Sequence, residues 1–341
     1  MRIREYGYSI GSYKTGPLNK ISDVPGVTVG HVTLDKEGAQ TGVTAIIPAP
    51  DNVFENKLIA SCHVINGFGK STGLVQVEEL GSLETPIILT NTLSVGDALR
   101  GLVEYKLDRN ENIGISTGTV NGLVCECNDS YLNTIRDFHV RPVHVHQAIE
   151  NATREFEEGS VGAGRGMSAY GLKGGIGTAS RVIEVDDKKY TVGMLVLTNM
   201  GKKKDFILGA DPLGKKLNDI DSKDANLADK GSIIMILGTD LPVTPLQLKR
   251  ISKRTIAGLS RTGSNMGHGS GEIVIGFSTA NRIPHSSKTS KQIESIHDDS
   301  LDLAFESVAE ATEEAILNSM VCAKTVEGRA GHIRRSLSEY L

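Results

Sequence analysis

Residues 229–240, DKGSIIMILGTD, change character at one peptide bond: a charged stretch ends at Gly231-Ser232, and the apolar run Ile233-Ile234-Met235-Ile236-Leu237 begins at once. Such a run, bounded by glycine and a Gly-Thr-Asp cluster, reads as a strand buried in a sheet. Of the 29 residues before it, 202–230, thirteen are Lys or Asp and only Phe206 is aromatic. A segment of that composition cannot recover its ordering entropy by burial, and it reads as a mobile surface connection. Upstream, TASRVIEV and YTVGMLVLT are strand candidates joined at DDKK, a hairpin with a charged tip. Downstream, Thr244 with Pro245 and Gln247 forms a capping-box helix start, with Leu248, Ile251, Thr255 and Leu259 as the buried face and Lys249, Arg250, Lys253 and Arg254 facing out. The loop TGSNMGHGSG then enters the strand GEIVIGFST, and a last helix over about 300–321 carries Leu301, Phe305, Val308, Ala315 and Leu317.

Nearer the N-terminus, VTVGHV, VTAIIP, LIASCHVI and PIILT alternate with turn clusters and predict a mixed sheet. Leu99, Leu102, Val103 and Leu107 predict a helix after SVGD, and Ile149, Ala152 and Phe156 another before EEGSVGAGRG. His144 and His146 alternate in RPVHVH as strand residues do; no carboxylate cluster accompanies them, which argues against metal ligation. No period of 20 to 50 residues is present. Strands towards both ends of the chain with helices outside them suggest a four-layer αββα sandwich, a single domain over 1–341.

Composition limits the function classes. Hydrophobic residues make up 39% of the 341, aromatics 4%, and Trp is absent, so the core is built from Ile, Val, Leu and Ala on layers brought close by 38 glycines. A net charge of −4 gives no field to attract nucleic acid or an anionic membrane. Cys62, Cys125, Cys127 and Cys322 lack the spacing of a zinc site and read as core thiols in a reducing compartment. The N-terminal MRIREYGYSIGSYKTG has no continuous apolar region, and no run approaches the roughly 18 apolar residues of a spanning helix. A soluble, cytoplasmic protein is expected. GAGRG and LKGGIG fit neither G-x-x-x-x-G-K-[ST] nor a complete G-x-G-x-x-G, so no nucleotide, and no other cofactor or metal, is expected.

A serine that opens a buried strand after a glycine can be a coincidence of linker composition. Two features weigh against coincidence at Ser232. A mobile stretch before it lets a chain end move away once the bond is cut, and Gly231 tolerates the strained backbone in which a hydroxyl attacks the preceding carbonyl. Cleavage would leave Ser232 with its hydroxyl and α-amine on adjacent atoms. A free α-amine titrates near about 7.7 to 8.0 and can take the hydroxyl proton without a histidine.

The chain resembles the DmpA-like L-aminopeptidase/D-amidase-esterases, which include the β-peptidyl aminopeptidases. The motifs that carry this run in order along nearly the whole chain: GPLNKISDVPGVTVGHVTL, TGVTAIIP, LTNTLSVGDA, GMSAYGLKGGIGTASR, GSIIMILGTDLP and GLSRTGSNMGHGSGEIVIGFST. The resemblance implies a precursor that cuts itself, here at Gly231-Ser232, into a large chain 1–231 and a small chain 232–341 that stay associated. It implies an αββα fold like that of N-terminal-nucleophile hydrolases, a homotetramer, and release of N-terminal residues, some of them D- or β-amino acids, from short peptides, amides and esters.

Residue by residue, the resemblance makes Ser232 the nucleophile and places the supporting serine and glutamate at Ser270 and Glu272 in GSGE. A carboxylate two residues after a serine at a strand start projects to the same face, where it can hold an ammonium while the serine relays a hydrogen bond. Asn199 matches an asparagine that helps hold the oxyanion; its bland reading is a turn cap ending a strand. Glu126, in VCECNDSYLN, matches a glutamate that receives the substrate's free amino group. At the next substrate-binding position but one the chain departs from the pattern, with Asn128 where the family has an aromatic, usually tyrosine; Tyr131 is the nearby aromatic that could take its place. Two further readings remain open at this point. Ornithine acetyltransferases use a similar self-cleaving layered fold but normally have threonine at the cut, and a non-catalytic binding scaffold would fit a site lost at Asn128.

Overall fold

The computed structural model describes residues 1–36, 38–220 and 231–341. Strands β1 (Thr28–Leu34), β2 (Thr41–Ile47), β5 (Ile87–Asn91) and β6 (Leu123–Cys127) form one sheet in that order. A larger sheet has the order β4 (Ser82–Leu83), β3 (Asn56–Gly67), β12 (Gly271–Pro284), β11 (Ser232–Thr239), β10 (Lys188–Asn199) and β9 (Ile176–Val185). A short ribbon of β7 (Ser168–Ala169) and β8 (Leu172–Lys173) leads into β9. Helix α1 (Leu74–Leu80) packs against β3 and β4, α2 (Val95–Leu107) and α3 (Pro142–Glu150) pack on the outer face of the small sheet, and α5 (Pro245–Ser252), α6 (Thr255–Arg261) and α7 (Leu301–Val321) lie on the outer side of the large one. The two sheets face each other, so the layers run α, β, β, α.

The apolar run at 233–237 shows why this arrangement is stable. All eight residues of β11 are buried. Alternation along the strand sends Ile234 and Ile236 into the space between the sheets, against Leu195, Ile275 and Phe277 of their own sheet and Leu89 and Cys125 of the other. It sends Ile233, Met235 and Leu237 to the helical side with Val308, Ala311 and Ala315 of α7. Each fully buried Ile contributes about 1.5–3 kcal/mol, so cover on both faces is worth far more than cover on one. Close layering without large aromatics relies on glycine: a Cβ at Gly177 would stand 2.0 Å from the Ala315 carbonyl oxygen of α7.

Most predicted elements are found, including the hairpin at DDKK, where Asp186 and Asp187 take φ of 50° and 60°, as a two-residue I′ turn requires. Four expectations need correction. The lysine-rich connection is structured in its first part: Phe206, Leu208, Leu213 and Leu217 are buried, and α4 (Leu213–Ile220) packs beside the 3-10 turn Lys203–Asp205. Leu213 and Leu217 are four residues apart, hence on one helix face, while Lys215 and Lys216 are exposed; the charge count concealed that face. Residues 221–230 of that connection lie outside the described residues. His144 and His146 sit on a helix, not a strand, because Pro142 starts α3 at its first position. Ala152 and Phe156 fall beyond the end of α3 at Glu150, so that helix is shorter than its apolar spacing suggested. The stretch Pro245–Arg261 is two helices, broken at Lys253 and Arg254.

Candidate active site

Three strands of the large sheet bring their ends to one level at Ser232. Asn199, the last residue of β10, pairs with Ser232 in the antiparallel ladder, and Gly271, the first of β12, pairs with it in the parallel one. Residues in register project to the same face, so the Asn199 and Ser232 side chains emerge side by side, and Gly271 offers no side chain to crowd them. A Cβ at Gly271 would stand 3.2 Å from Ser232 Oγ and 2.7 Å from the Phe68 carbonyl oxygen. The buried Ser232 hydroxyl donates to the Gly231 carbonyl oxygen at 2.8 Å, and so lies against the peptide bond that precedes it.

A Cβ at Gly231 would stand 2.0 Å from the Asn199 carbonyl oxygen and 2.7 Å from Met200 Cα, so glycine there permits the close approach of β10.

Ser270 and Glu272 are both fully buried, and the Ser270 hydroxyl donates to Glu272 Oε1, so the structure brings this pair together. Glu272 is registered with Ile233 rather than with Ser232, which sets the pair alongside the Gly231–Ser232–Ile233 backbone. Asn199 is clamped at both ends of its amide: Oδ1 accepts from the Ser168 N–H at 2.9 Å, and Nδ2 donates to the Asn128 carbonyl oxygen at 2.9 Å.

Glu126 ends up across the gap between the sheets. Its carboxylate is buried and accepts from the Lys70 N–H at 2.8 Å and from the Thr92 hydroxyl. The loop that supplies Lys70 also supplies the Phe68 carbonyl over Gly271, so one short segment links the surroundings of Ser232 to those of Glu126. Cys125 and Cys127 flank Glu126, and burial pushes the Cys125 thiol up to about 12 and Cys127 well above its ordinary value. Neither is a nucleophile at neutral pH.

Asn128 contributes its backbone carbonyl to the clamp on Asn199, while its exposed side chain accepts from the Ser130 N–H at 3.0 Å and closes a local turn. The Tyr131 ring stacks on His332 at 4.5 Å between centroids, the Arg334 guanidinium lies over the same ring at 3.6 Å from its centroid, and Arg334 Nε reaches Ser168 Oγ at 3.2 Å.

Sequence reasoning missed four residues that the structure places here: Lys70 and Thr92 on Glu126, and Ser168 and Lys173 behind Asn199. The last two lie in GMSAYGLKGGIGTASR, whose order along the chain was a signal without an assigned role. His146 is a packing residue, its Nε2 paired with the Gly101 carbonyl oxygen at 2.9 Å. Clefts of about 330, 410 and 390 Å³ open around Thr33–Lys36, Ile135–Asp137 and Pro48–Val53, and none of these three is lined by Ser232 or Glu272. Among the described residues, no helix is long and apolar enough to cross a membrane.

Comparison with known proteins bears on this arrangement. The profile of peptidase family S58 matches residues 19–334. A β-peptidyl aminopeptidase, BapA of Sphingosinicella microcystinivorans, is 37% identical over 97% of this chain and 88% of its own length. The crystal structure of the PH0078 protein from Pyrococcus horikoshii OT3 superposes with a TM-score of 0.96 at 50% identity, covering 100% of this chain and 97% of that one. The L-aminopeptidase D-Ala-esterase/amidase of Ochrobactrum anthropi, described as a prototype of the serine aminopeptidases and a variant of the Ntn hydrolase fold, superposes at 0.90 with 34% identity, covering 98% and 95%. None of these comparisons favours an ornithine acetyltransferase or a non-catalytic scaffold.

Proposed function

This chain belongs to peptidase family S58, and from that premise we propose that it cuts itself at Gly231-Ser232 and then works as an aminopeptidase or amidase through its new N-terminal serine. The observation that carries the reading is the Ser232 hydroxyl held 2.8 Å from the Gly231 carbonyl oxygen, at the start of a strand buried on both faces. Attack of Oγ on the Gly231 carbonyl carbon forms an ester as the Ser232 nitrogen leaves; water then splits the ester, giving a Gly231 carboxylate and a free serine terminus. The chains 1–231 and 232–341 stay together because the apolar faces of β11 remain buried between layers that belong to both.

In turnover the freed α-amine takes the hydroxyl proton, and Oγ attacks the substrate carbonyl. Asn199 Nδ2 donates to the oxygen on which charge develops. The departing amine takes the proton back, and water releases the acyl group by the same route. Ser270 and Glu272 hold the terminal ammonium. Glu126 receives the substrate's amino group, and only that charge distinguishes a chain end from an internal peptide bond. The substrates are short peptides, amides or esters with a free amine, with β- and D-residues included on the strength of the relatives' names. Buried free thiols at Cys62, Cys125 and Cys127 support a cytoplasmic setting, and the resemblance to the family supports a homotetramer.

The purified protein should run as two chains on a denaturing gel, the smaller beginning at Ser232. Ser232→Ala should remain a single folded chain and hydrolyse aminoacyl p-nitroanilides about 10⁴-fold or more slowly. Full activity in an uncut chain, or a cut Ser232→Ala chain, would defeat the reading.

A further inference from the structure

Lys173 is a lysine with no exposed surface, on β8, and nothing in the reaction above uses it. Its Nζ donates to three backbone carbonyls, those of Gly164 and Met167 at 2.8 Å and Gly174 at 2.7 Å. Three acceptors require three N–H donors, and only the protonated amine has three. Burial and then the charge of Arg165 pull this group well below the ordinary lysine range, and the charge of Asp129 opposes them; the three carbonyls accept from the charged form and favour it too. Enclosing a charge is costly, and a position that only filled space would be served better by Leu or Met.

The cage leads to Asn199. The peptide unit between Met167 and Ser168 has its carbonyl on Lys173 Nζ and its N–H on Asn199 Oδ1 at 2.9 Å. An ammonium on one end of a peptide unit polarises it and makes the N–H at the other end a stronger donor. That matters because the two ends of an asparagine amide are nearly the same shape, and hydrogen bonds alone decide which faces which way. With Oδ1 fixed on Ser168, Nδ2 gives one hydrogen to the Asn128 carbonyl and has the other for an oxyanion beside Ser232. A flipped amide would set oxygen against the Asn128 carbonyl and NH₂ against the Ser168 N–H, and would present an acceptor where charge develops.

We propose that Lys173 is a positioning residue for the reaction: through the Met167–Ser168 peptide its ammonium holds the Asn199 amide in the one orientation that points a donor at the carbonyl attacked by Ser232. The inference rests on the reading of Asn199 as the oxyanion donor. A contact made in the transition state changes kcat and not KM.

The test is a double-mutant cycle on the full protein, with rates expressed per chain that carries a free Ser232 terminus, counted on a denaturing gel. Lys173→Met should lower kcat about tenfold to hundredfold with KM unchanged. In an Asn199→Ala background the same substitution should change kcat by no more than about twofold. Equal losses in both backgrounds, or a loss in KM alone, would overturn the role of Lys173 while leaving Asn199 as donor. If Asn199→Ala itself leaves kcat unaltered, the oxyanion reading falls and takes Lys173 with it. Should Lys173→Met fail to fold, Lys173→Gln keeps the length and two donors without the charge, and the same cycle is read from it.

Discussion

Two groups of buried charge differ in how they are satisfied. Between β9 and α7, the fully buried Arg181 gives Nε to Glu310 at 3.0 Å and Nη2 to Glu314 at 2.7 Å, with further bonds to the carbonyls of Ser180 and Ile10. Arg4 adds two bonds to Glu314, both at 2.7 Å. Burial alone would raise the Glu314 carboxyl, but the hydrogen bond from Arg4 and the charges of Arg181 and Arg4 hold it below its ordinary value. Around the start of β11 the pattern is different. Glu126 accepts from a backbone N–H and a hydroxyl, Lys173 is spent on carbonyls, and Asp129 takes a bond from Asn133 at 3.0 Å on Oδ1. Burial pushes the Asp129 carboxyl up to about 7, against hydrogen bonds from Thr41 and Asn133 and the charge of Lys173, which it does not touch directly. Charges paired in direct contact stabilise the fold and are quiet chemically; charges whose direct contacts are neutral groups keep more of their field for something else.

The largest effect expected from this contrast is on stability. Arg181→Met leaves the buried Glu310 without its cation and Glu314 with Arg4 alone, and should cost about 3–5 kcal/mol in urea unfolding, with kcat per folded molecule unchanged. A loss of kcat without loss of stability would abolish the distinction between the groups. A smaller effect separates the two by pH. The folded Asp129 carboxyl titrates above its unfolded value of 3.8, so its favourable contribution is complete below that value and is lost as pH rises towards about 7. Asp129→Asn removes this dependence: relative to the variant, the unsubstituted protein should lose about 3 kcal/mol between pH 5 and pH 8, followed as Tm against pH. Parallel curves would mean that the hydrogen bonds on Asp129 and the charge of Lys173 outweigh its burial. The smallest effect concerns selectivity. Glu126→Gln should raise KM about tenfold for substrates with a free amine and leave N-acetylated analogues unaffected. An equal change for both would move the amine site elsewhere.

The fold was largely legible because its signals are local. The buried strand at 233–237, the strand runs before it and the capping box at Thr244 each depend on residues close in sequence, and each is found where its pattern predicted. The failures have one cause in common, which is that composition was read without the partner. Counting lysines and aspartates in 202–220 hid Leu213 and Leu217, which are buried against the protein. Reading RPVHVH by alternation overlooked that Pro142 favours a helix start. At the site, the resemblance named Ser232, Asn199, Ser270, Glu272 and Glu126, whereas Lys173, Ser168 and Thr92 lie in its motifs without an assigned role and Lys70 lies outside them, since contacts with other loops define what they do.

By itself the sequence determined where most of the strands lie, and that a serine preceded by glycine opens a buried one of them. Only the tertiary structure decided that Asn199 and Gly271 stand level with that serine, and that glycine is required at 231 by the approach of β10. It alone decided that an enclosed lysine amine stands behind the Asn199 amide. The physical reason is range. Alternation, capping and turn chemistry act between neighbours along the chain, while strand register and the satisfaction of buried polar groups are settled between residues that meet only when the layers close.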